Sequence, residues 1–217
     1  MTPQLVIFDC DGVLIDSEAI SARVLIASVS RLGIEIDFDT FCQRYVGRSF
    51  PTVAKDIFQM FDVALPDGFE ADYRATLLTA FEAELIPTMG IVDVLDAMKL
   101  PYCVATSSSP PRVARSLALT GLAGFFGNRV YTASQVTRGK PAPDLFVFAA
   151  TKMGVDPSAC LVIEDSLPGI HAGIAAGMTV LRYTGGAHLQ GRTLKHDQTV
   201  PTFDNWADFS VLMAKQP

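Results

Sequence analysis

Short apolar runs recur along the chain and are typical of β-strands buried on both faces. These runs are Leu5–Phe8, Tyr102–Ala105, Cys160–Ile163 and Thr179–Arg182, with Asn128–Thr132 as a weaker fifth. Between the later runs the apolar residues recur at helical spacing, in Ile91–Met98, Pro111–Thr120, Pro143–Met153 and Gly169–Ala176. Strands without a polar face that alternate with helices predict an α/β fold, in which a parallel sheet is covered by helices on both sides.

One stretch interrupts this alternation. From about Ser17 to Leu85 no comparable strand run occurs, but apolar residues follow helical spacing, as in Tyr73, Leu77 and Phe81. The turn-forming sequence Pro87–Gly90 ends the stretch. We therefore predict two domains, an α/β core formed by residues 1–16 and 88–217 and an inserted helical domain of residues 17–87.

Composition and charge narrow the possible partners. Among the 217 residues, 49% are apolar and 18% are charged, which favours a large buried core. The net charge of −6 argues against a nucleic-acid partner, since such proteins normally carry a basic face. No apolar run reaches the length of a membrane span, so no membrane partner is expected. Nothing in the sequence predicts the oligomeric state.

The N-terminus and the cysteines both favour a cytoplasmic location. The first residues have no basic segment ahead of their short apolar run, so no signal peptide is predicted. The four cysteines are not arranged as CxxC, and three of them lie in or beside apolar runs. We expect buried free thiols in a reducing compartment.

Two acidic residues follow the first predicted strand. Asp9 and Asp11 are separated by one residue and lead into Gly12. Ligands of parallel α/β sheets bind at the carboxyl ends of the strands, and buried carboxylates are strongly disfavoured there unless a cation accompanies them. Oxygen ligands without a paired His or Cys favour Mg2+. The alternative is a loop that carries two solvated acids.

Hydroxyl groups and a lysine supply two further motifs. Thr106 and Ser107 follow the second strand, where hydroxyls and backbone amides suit a phosphate. The nearby Ser109 could instead cap the next helix. Lys140 lies in a proline-bounded loop and is a candidate phosphate clamp. A lone lysine is, however, most often an exposed surface residue.

A second pair of acids, Glu164 and Asp165, follows the run Cys160–Ile163. Here the alternative is that Asp165 or Ser166 caps the following helix. In one doubly wound sheet the carboxyl ends of these strands converge on one rim. The four motifs together therefore predict one site that combines acids, hydroxyls and a lysine.

The segments DCDGVLIDSEAI, VATSSS, GKPAPDLF and VIEDSLPGIHAGIAAGM closely resemble the motifs of the haloacid dehalogenase superfamily of phosphohydrolases. The resemblance covers nearly the whole chain and points to the branch with a helical cap inserted after the first motif. It implies a Rossmann-like doubly wound core and an inserted α-helical cap domain that closes over the site. It also implies Mg2+-dependent hydrolysis of a small phosphorylated metabolite through an aspartyl-phosphate.

The resemblance also implies a role for each motif residue. Asp9 is expected to attack phosphorus, and Asp11 to protonate the leaving group and then deprotonate water. The expected Mg2+ ligands are Asp9, Asp11 through its backbone carbonyl, Asp165 and, directly or through water, Glu164. The expected phosphate contacts are Thr106, the amide of Ser107 and Lys140.

The predicted cap offers candidates for substrate specificity. Arg48 lies in a Gly-Arg-Ser sequence that resembles the specificity turn of such caps, and Arg74 is a second candidate. The segment Asp72–Ala75 and the residues that follow resemble bacterial phosphatases of sugar, polyol or sugar-acid phosphates, such as 6-phosphogluconate. His171 and His188 are expected to be surface or packing residues.

Three other functions remain open at the level of sequence. A 2-haloacid dehalogenase would also use an aspartate nucleophile but would leave Asp11 without a role. A phosphomutase of the β-phosphoglucomutase type would carry a histidine where this chain has Ser21. A non-catalytic phosphate-binding module should have lost Asp9, Asp11 or Lys140, and all three are present.

Overall fold

The computed structural model describes residues 3–191 and 200–214. Six parallel strands form one sheet in the order β3-β2-β1-β4-β5-β6. The strands are β1 (Leu5–Phe8), β2 (Tyr102–Thr106), β3 (Val130–Thr132), β4 (Cys160–Glu164), β5 (Thr179–Tyr183) and β6 (Thr202–Phe203). The order reverses at β1, and this arrangement of strands and helices is the predicted Rossmann-like α/β fold.

Helices connect the strands. They are α1 (Glu18–Ser30), α2 (Phe38–Arg44), α3 (Phe50–Phe61), α4 (Phe69–Glu84), α5 (Ile91–Ala97), α6 (Pro110–Leu119), α7 (Ala123–Phe126), α8 (Asp144–Met153), α9 (Leu167–Ala175) and α10 (Phe209–Ala214). The first four lie in the stretch 17–87, which we call the insert. Its status as a separate domain stays a prediction. No helix of the described ranges is long and apolar enough to cross a membrane.

Burial on both faces explains why the strands read as continuous apolar runs. All four residues of β1 are fully buried. Leu5 and Ile7 belong to the apolar cluster on one face of the sheet, which includes Phe146 of α8. Val6 and Phe8 belong to the cluster on the other face, with Trp206. Since alternate side chains enter opposite cores, no polar position interrupts the strand.

The C-terminal part of the chain adds two features that the apolar pattern did not predict. β6 is only two residues long and pairs with β5. Trp206 stacks on Tyr183, with ring centroids 4.7 Å apart, and its Nε1 donates to Thr88 Oγ1. This aromatic cluster joins the end of the chain to the segment that follows the insert.

The state of the cysteines largely matches the expectation of buried free thiols. All four are free thiols, and Cys10, Cys103 and Cys160 are buried. Cys42 on α2 is only partly buried.

Candidate active site

The four sequence motifs meet at one edge of the sheet. β1, β2 and β4 are adjacent, and their carboxyl ends carry Asp9, Thr106 and Glu164. Lys140 reaches the same place from the loop before α8 and is buried. The convergence that the fold class predicted is therefore present.

Lys140 links two of the acids. Its Nζ lies 2.7 Å from Asp9 Oδ1 and 2.6 Å from Glu164 Oε1. Burial alone would lower the pKa of Lys140, but the charges of Asp9 and Glu164 raise it, so the ammonium group stays charged. The alternative of an exposed surface lysine is thereby excluded.

Glu164 is held rigidly by its surroundings. Its Oε2 accepts hydrogen bonds from the amides of Asp165 and Ser166 and from Ser166 Oγ, each at 2.9 Å. Helix α9 packs against the carboxylate at Gly169, where an added Cβ would lie 1.7 Å from Oε1. The glycine at position 169 is thus explained by close packing against a buried charge.

The helix-cap alternative applies to Ser166 but not to Asp165. Ser166 Oγ accepts from the amide of Gly169 and caps α9. Neither carboxylate oxygen of Asp165 accepts a hydrogen bond from any residue the structure describes. Asp165 Oδ2 lies 2.9 Å from His188 Nε2, but without the angle that a hydrogen bond requires. A buried carboxylate without hydrogen bonds is costly unless a cation is bound.

The acids are arranged so that a metal ion could bind. Carboxylate oxygens of Asp9, Glu164 and Asp165 lie within 4.8 Å of one another. Burial raises the pKa of Asp9 and of Asp165 well above the usual value, and the neighbouring acids add to this rise. Lys140 supplies one positive charge against three acids. An all-oxygen donor set with excess negative charge fits a hard divalent cation.

Asp11 has a different environment. It accepts hydrogen bonds from Ser17 Oγ at 2.6 Å, Ser108 Oγ at 2.6 Å and Arg112 Nη2 at 2.7 Å. Burial alone would raise the pKa of Asp11, but the Arg112 guanidinium and the two hydroxyls hold it below its usual value. None of these three partners was predicted from the sequence, since a serine or arginine in a helix or loop has no distinctive spacing.

The insert contacts the core directly above this site. Ser107 Oγ donates to the carbonyl of Gly47 at 3.0 Å, and Arg74 Nη1 donates to Ser109 Oγ at 2.9 Å. Ser109 precedes α6, but its side chain makes no capping bond and instead accepts from Arg74. These contacts close a cavity between insert and core.

The cavity brings predicted and unpredicted residues together. Asp9, Asp11, Thr106 and Ser107 lie on its core side. The predicted specificity residues Arg48 and Arg74 also line it, as do the unpredicted residues Glu18, Tyr73 and Arg112.

Glu18 and His188 are buried charged or polar residues that the motifs did not single out. Burial, and then the charge of Asp11, raises the pKa of Glu18 to about 8. His188 is fully buried beside Asp165, whereas His171 is exposed on α9. Gly12, at φ +77°, makes this packing possible, because an added Cβ would lie 2.1 Å from Asp165 Oδ2 and 2.9 Å from His188 Cε1.

Comparison with known proteins agrees with this geometry. The family model described as haloacid dehalogenase-like hydrolase matches residues 3–177. The chain is 29% identical to the 6-phosphogluconate phosphatase of Escherichia coli K12 over 187 residues, or 85% of this chain and 84% of that protein. It is 30% identical to the fructose-1-phosphate phosphatase of the same organism, over 79% and 92% of the two chains.

A solved structure extends the likeness to the whole fold. A haloacid dehalogenase-like protein of unknown function from Agrobacterium tumefaciens superposes with a TM-score of 0.82 and 29% identity, over 97% of each chain. The resemblance of the sequence motifs is confirmed. The chain belongs to the haloacid dehalogenase-like hydrolases, and its curated relatives place it with the phosphatases of that family.

Proposed function

We propose that the protein is a Mg2+-dependent phosphatase of small phosphorylated sugars, polyols or sugar acids, which acts through an aspartyl-phosphate on Asp9. The observation that carries this proposal is the buried cluster of Asp9, Lys140, Glu164 and Asp165, which opens beside Asp11 into the cavity under the insert. A nucleophile, a fixed cation and a donor set for a metal stand within one site there.

Asp9 is the proposed nucleophile. A carboxylate oxygen of Asp9 attacks phosphorus, and the bond from phosphorus to the ester oxygen of the substrate breaks. Asp11 is protonated for this step, because the negative charge of the bound phosphate opposes the pKa-lowering effect of Arg112, and it gives the proton to that oxygen as the alcohol leaves. Water then attacks the phosphorus of the aspartyl-phosphate, Asp11 takes the proton, and inorganic phosphate is released as Asp9 is restored.

The other residues position the phosphoryl group and the metal. Thr106, Ser107 and Lys140 hold phosphoryl oxygens, since they surround the place where Asp9 opens into the cavity. Mg2+, when bound, offsets the negative charge of nucleophile and phosphate. Asp9, Asp165 and the carbonyl of Asp11 would hold it. Glu164 would contact it through water, because both of its oxygens already have hydrogen-bond partners.

The residue at one position favours the assignment as a phosphatase over that as a mutase. Ser21, which occupies the place of the mutase histidine, accepts a hydrogen bond from Arg112 at 3.2 Å. Since its hydroxyl does not titrate near neutral pH, Ser21 cannot supply the acid–base assistance of an imidazole. The relatives named as 6-phosphogluconate and fructose-1-phosphate phosphatases support the substrate class.

The test is release of inorganic phosphate from a panel of phosphorylated sugars, polyols and sugar acids, scored by kcat/KM with and without Mg2+. We expect turnover that requires Mg2+ and prefers members of this panel to nucleotides and phosphopeptides. Dependence on an added sugar bisphosphate, with no net phosphate release, would instead establish a mutase.

A further inference from the structure

Arg112 is a charged residue of the site, and the proposed reaction gives its side chain no direct role. It lies in the first turn of α6, in the core, and its side chain is 20% exposed. Its guanidinium lies over the ring of Phe81 on α4, 5.4 Å from the centroid. The arginine is thereby held in one place between core and insert, where it lines the cavity.

The hydrogen bonds of Arg112 leave one donor of the guanidinium, Nε, without an acceptor among the described residues. Nη2 is occupied by Asp11 and Ser21. Nε is buried and has no hydrogen-bond partner among the described residues. Buried donors without acceptors are costly, so an acceptor from the substrate would relieve that cost.

The charges around the cavity favour an anion at this place. Asp9 is paired with Lys140, and Asp11 with Arg112 itself. Burial favours the neutral form of Glu18. The arginines Arg48 and Arg74 line the same cavity on the insert side, and Arg74 is paired there with Glu70. With Glu18 neutral, the cavity lining therefore carries three arginines, Arg48, Arg74 and Arg112, against two ionised acids, Asp9 and Asp11, an excess of one positive charge.

We infer that Arg112 binds a carboxylate on the leaving group of the substrate, and so makes the enzyme selective for phosphorylated sugar acids. This inference rests on the proposed function, because Asp11 marks the leaving-group side only if it is the proton donor. Arg112 lies 2.7 Å from Asp11, on that side. Its bond to Asp11 shows that the guanidinium can bind a carboxylate here, and arginine suits carboxylates by the geometry of its donors.

Two substrates that differ in one group test the inference. Gluconate 6-phosphate and glucitol 6-phosphate have the same chain length and the same phosphate ester, but only the first carries a carboxylate. We expect wild-type kcat/KM to be at least about tenfold higher for the gluconate ester, as for one charge-assisted hydrogen bond. Equal values for the two substrates in the wild type would overturn the inference.

Variants then assign the preference to Arg112. In Arg112→Met, kcat/KM should fall for both substrates because Asp11 loses its arginine partner. The ratio of the two kcat/KM values should in addition fall about tenfold or more. Arg112→Lys, which keeps the charge, should retain part of the ratio. Arg115→Met is the matched control, because Arg115 lies on the same helix in an exposed ion pair with Glu82. It should keep the wild-type ratio.

The outcomes separate this inference from the proposed function. No phosphate release from any substrate by the wild type would overturn both. Two outcomes would overturn the inference alone. One is phosphate release from p-nitrophenyl phosphate but from neither sugar substrate. The other is an unchanged ratio of the two kcat/KM values in folded Arg112→Met. If Arg112→Met does not fold, product inhibition of the wild type decides. Gluconate should inhibit more strongly than glucitol, and equal inhibition would contradict the role of Arg112.

Discussion

At the scale of single residues, burial disfavours the ionised form of Asp9, the proposed nucleophile, and neighbouring positive charge favours it. Burial raises the pKa of Asp9, and the charges of Glu164 and Asp165 raise it further. Lys140 opposes both effects at 2.7 Å, and a divalent cation would do the same. The buried acids therefore need positive charge beside them, from Lys140 and a divalent cation, and their ionised forms would be unfavourable without it.

Asp9→Asn tests the nucleophile. The amide keeps the shape of the side chain but cannot attack phosphorus, so we expect kcat to fall by at least about a thousandfold. Phosphate release in saturating Mg2+ measures the effect, and Asp93→Asn, at an exposed position of α5, is the control. Near wild-type turnover by pure Asp9→Asn protein would refute the assignment.

Lys140→Met tests the buried cation. Removing it leaves Asp9 and Glu164 buried without their positive partner, so we expect the free energy of unfolding to fall by about 3–5 kcal/mol in EDTA. Urea denaturation measures the loss. Lys152→Met, on the exposed part of α8, should change stability little. Equal stabilities of Lys140→Met and wild type would mean that the ion pairs contribute nothing net.

Glu18 should make stability depend on pH. Burial raises its pKa from 4.5 to about 8, so the folded protein holds a proton that the unfolded chain loses above pH 4.5. The resulting stabilisation is complete below pH 4.5 and is lost as pH rises toward 8. The Glu18→Gln variant has no titrating side chain at this position. Between pH 5 and 8 in EDTA, we therefore expect wild type to lose stability relative to Glu18→Gln, by the order of a few kcal/mol.

Urea denaturation at several pH values checks this expectation. Glu35→Gln, at an exposed position after α1, should parallel the wild type throughout. A stability difference between wild type and Glu18→Gln that stays constant from pH 5 to 8 would contradict the raised pKa.

The motifs predicted the residues at strand ends but not their partners. Asp9, Thr106, Lys140 and Asp165 stand out in sequence because each follows a strand or a proline-bounded turn. Arg112 lies in an ordinary amphipathic helix, and it meets Asp11 only because the chain folds across 101 residues. Contacts of this kind depend on tertiary packing, which no local spacing records.

At the scale of elements, the close approach of insert and core depends on a glycine. Gly47 has φ +75°, and its carbonyl accepts from Ser107 Oγ. An added Cβ would lie 2.2 Å from Ser166 Oγ and 2.6 Å from Ser166 Cβ. The turn after α2 can therefore rest on the start of α9 only without a side chain.

Gly47→Ala should hold the insert away from the site. We expect kcat/KM to fall about tenfold or more, because a small displacement of the insert opens the site to water and misplaces the residues that line the cavity. Gly33→Ala is the matched control, since Gly33 has φ +77° and nothing within 4 Å of an added Cβ. It carries the same backbone strain without the contact. Equal kcat/KM for the two variants would show that the approach at Gly47 is not needed for turnover.

The elements themselves were largely readable from the apolar pattern. β1 matches its predicted range, and the other predicted strands differ from the observed ones by at most two residues at an end. β6 was missed because two residues give no periodicity. It is stabilised by pairing with β5 and by the ring of Trp206 against Phe203, and both partners lie elsewhere in the chain.

At the scale of the whole molecule, the sequence indicated that helices follow β1 but not how they lie over the sheet. Polar contacts such as that of Arg74 with Ser109, across 35 residues, join the insert to the core, and apolar residues of both belong to one buried cluster. The aromatic cluster of Trp206 then fixes the segment just after the insert to the end of the chain. The site therefore lies between two parts of the fold whose relative position is set by side chains rather than by strand pairing.

Removal of the metal should be visible in the stability of the whole molecule. The unfolded chain does not hold Asp9, Glu164 and Asp165 together, so we expect Mg2+ to bind the folded state preferentially and to stabilise it. At a Mg2+ concentration of about 100 times Kd, the free energy of unfolding rises by about 2.7 kcal/mol. For a chain of this size, this raises Tm by roughly 5–10 °C over that in EDTA.

Asp165→Asn should lose most of this rise in Tm, whereas Asp96→Asn, at an exposed position of α5, should keep it. Thermal unfolding monitored by circular dichroism measures both. A wild-type Tm that is the same in Mg2+ and in EDTA would mean that the buried acids do not bind Mg2+.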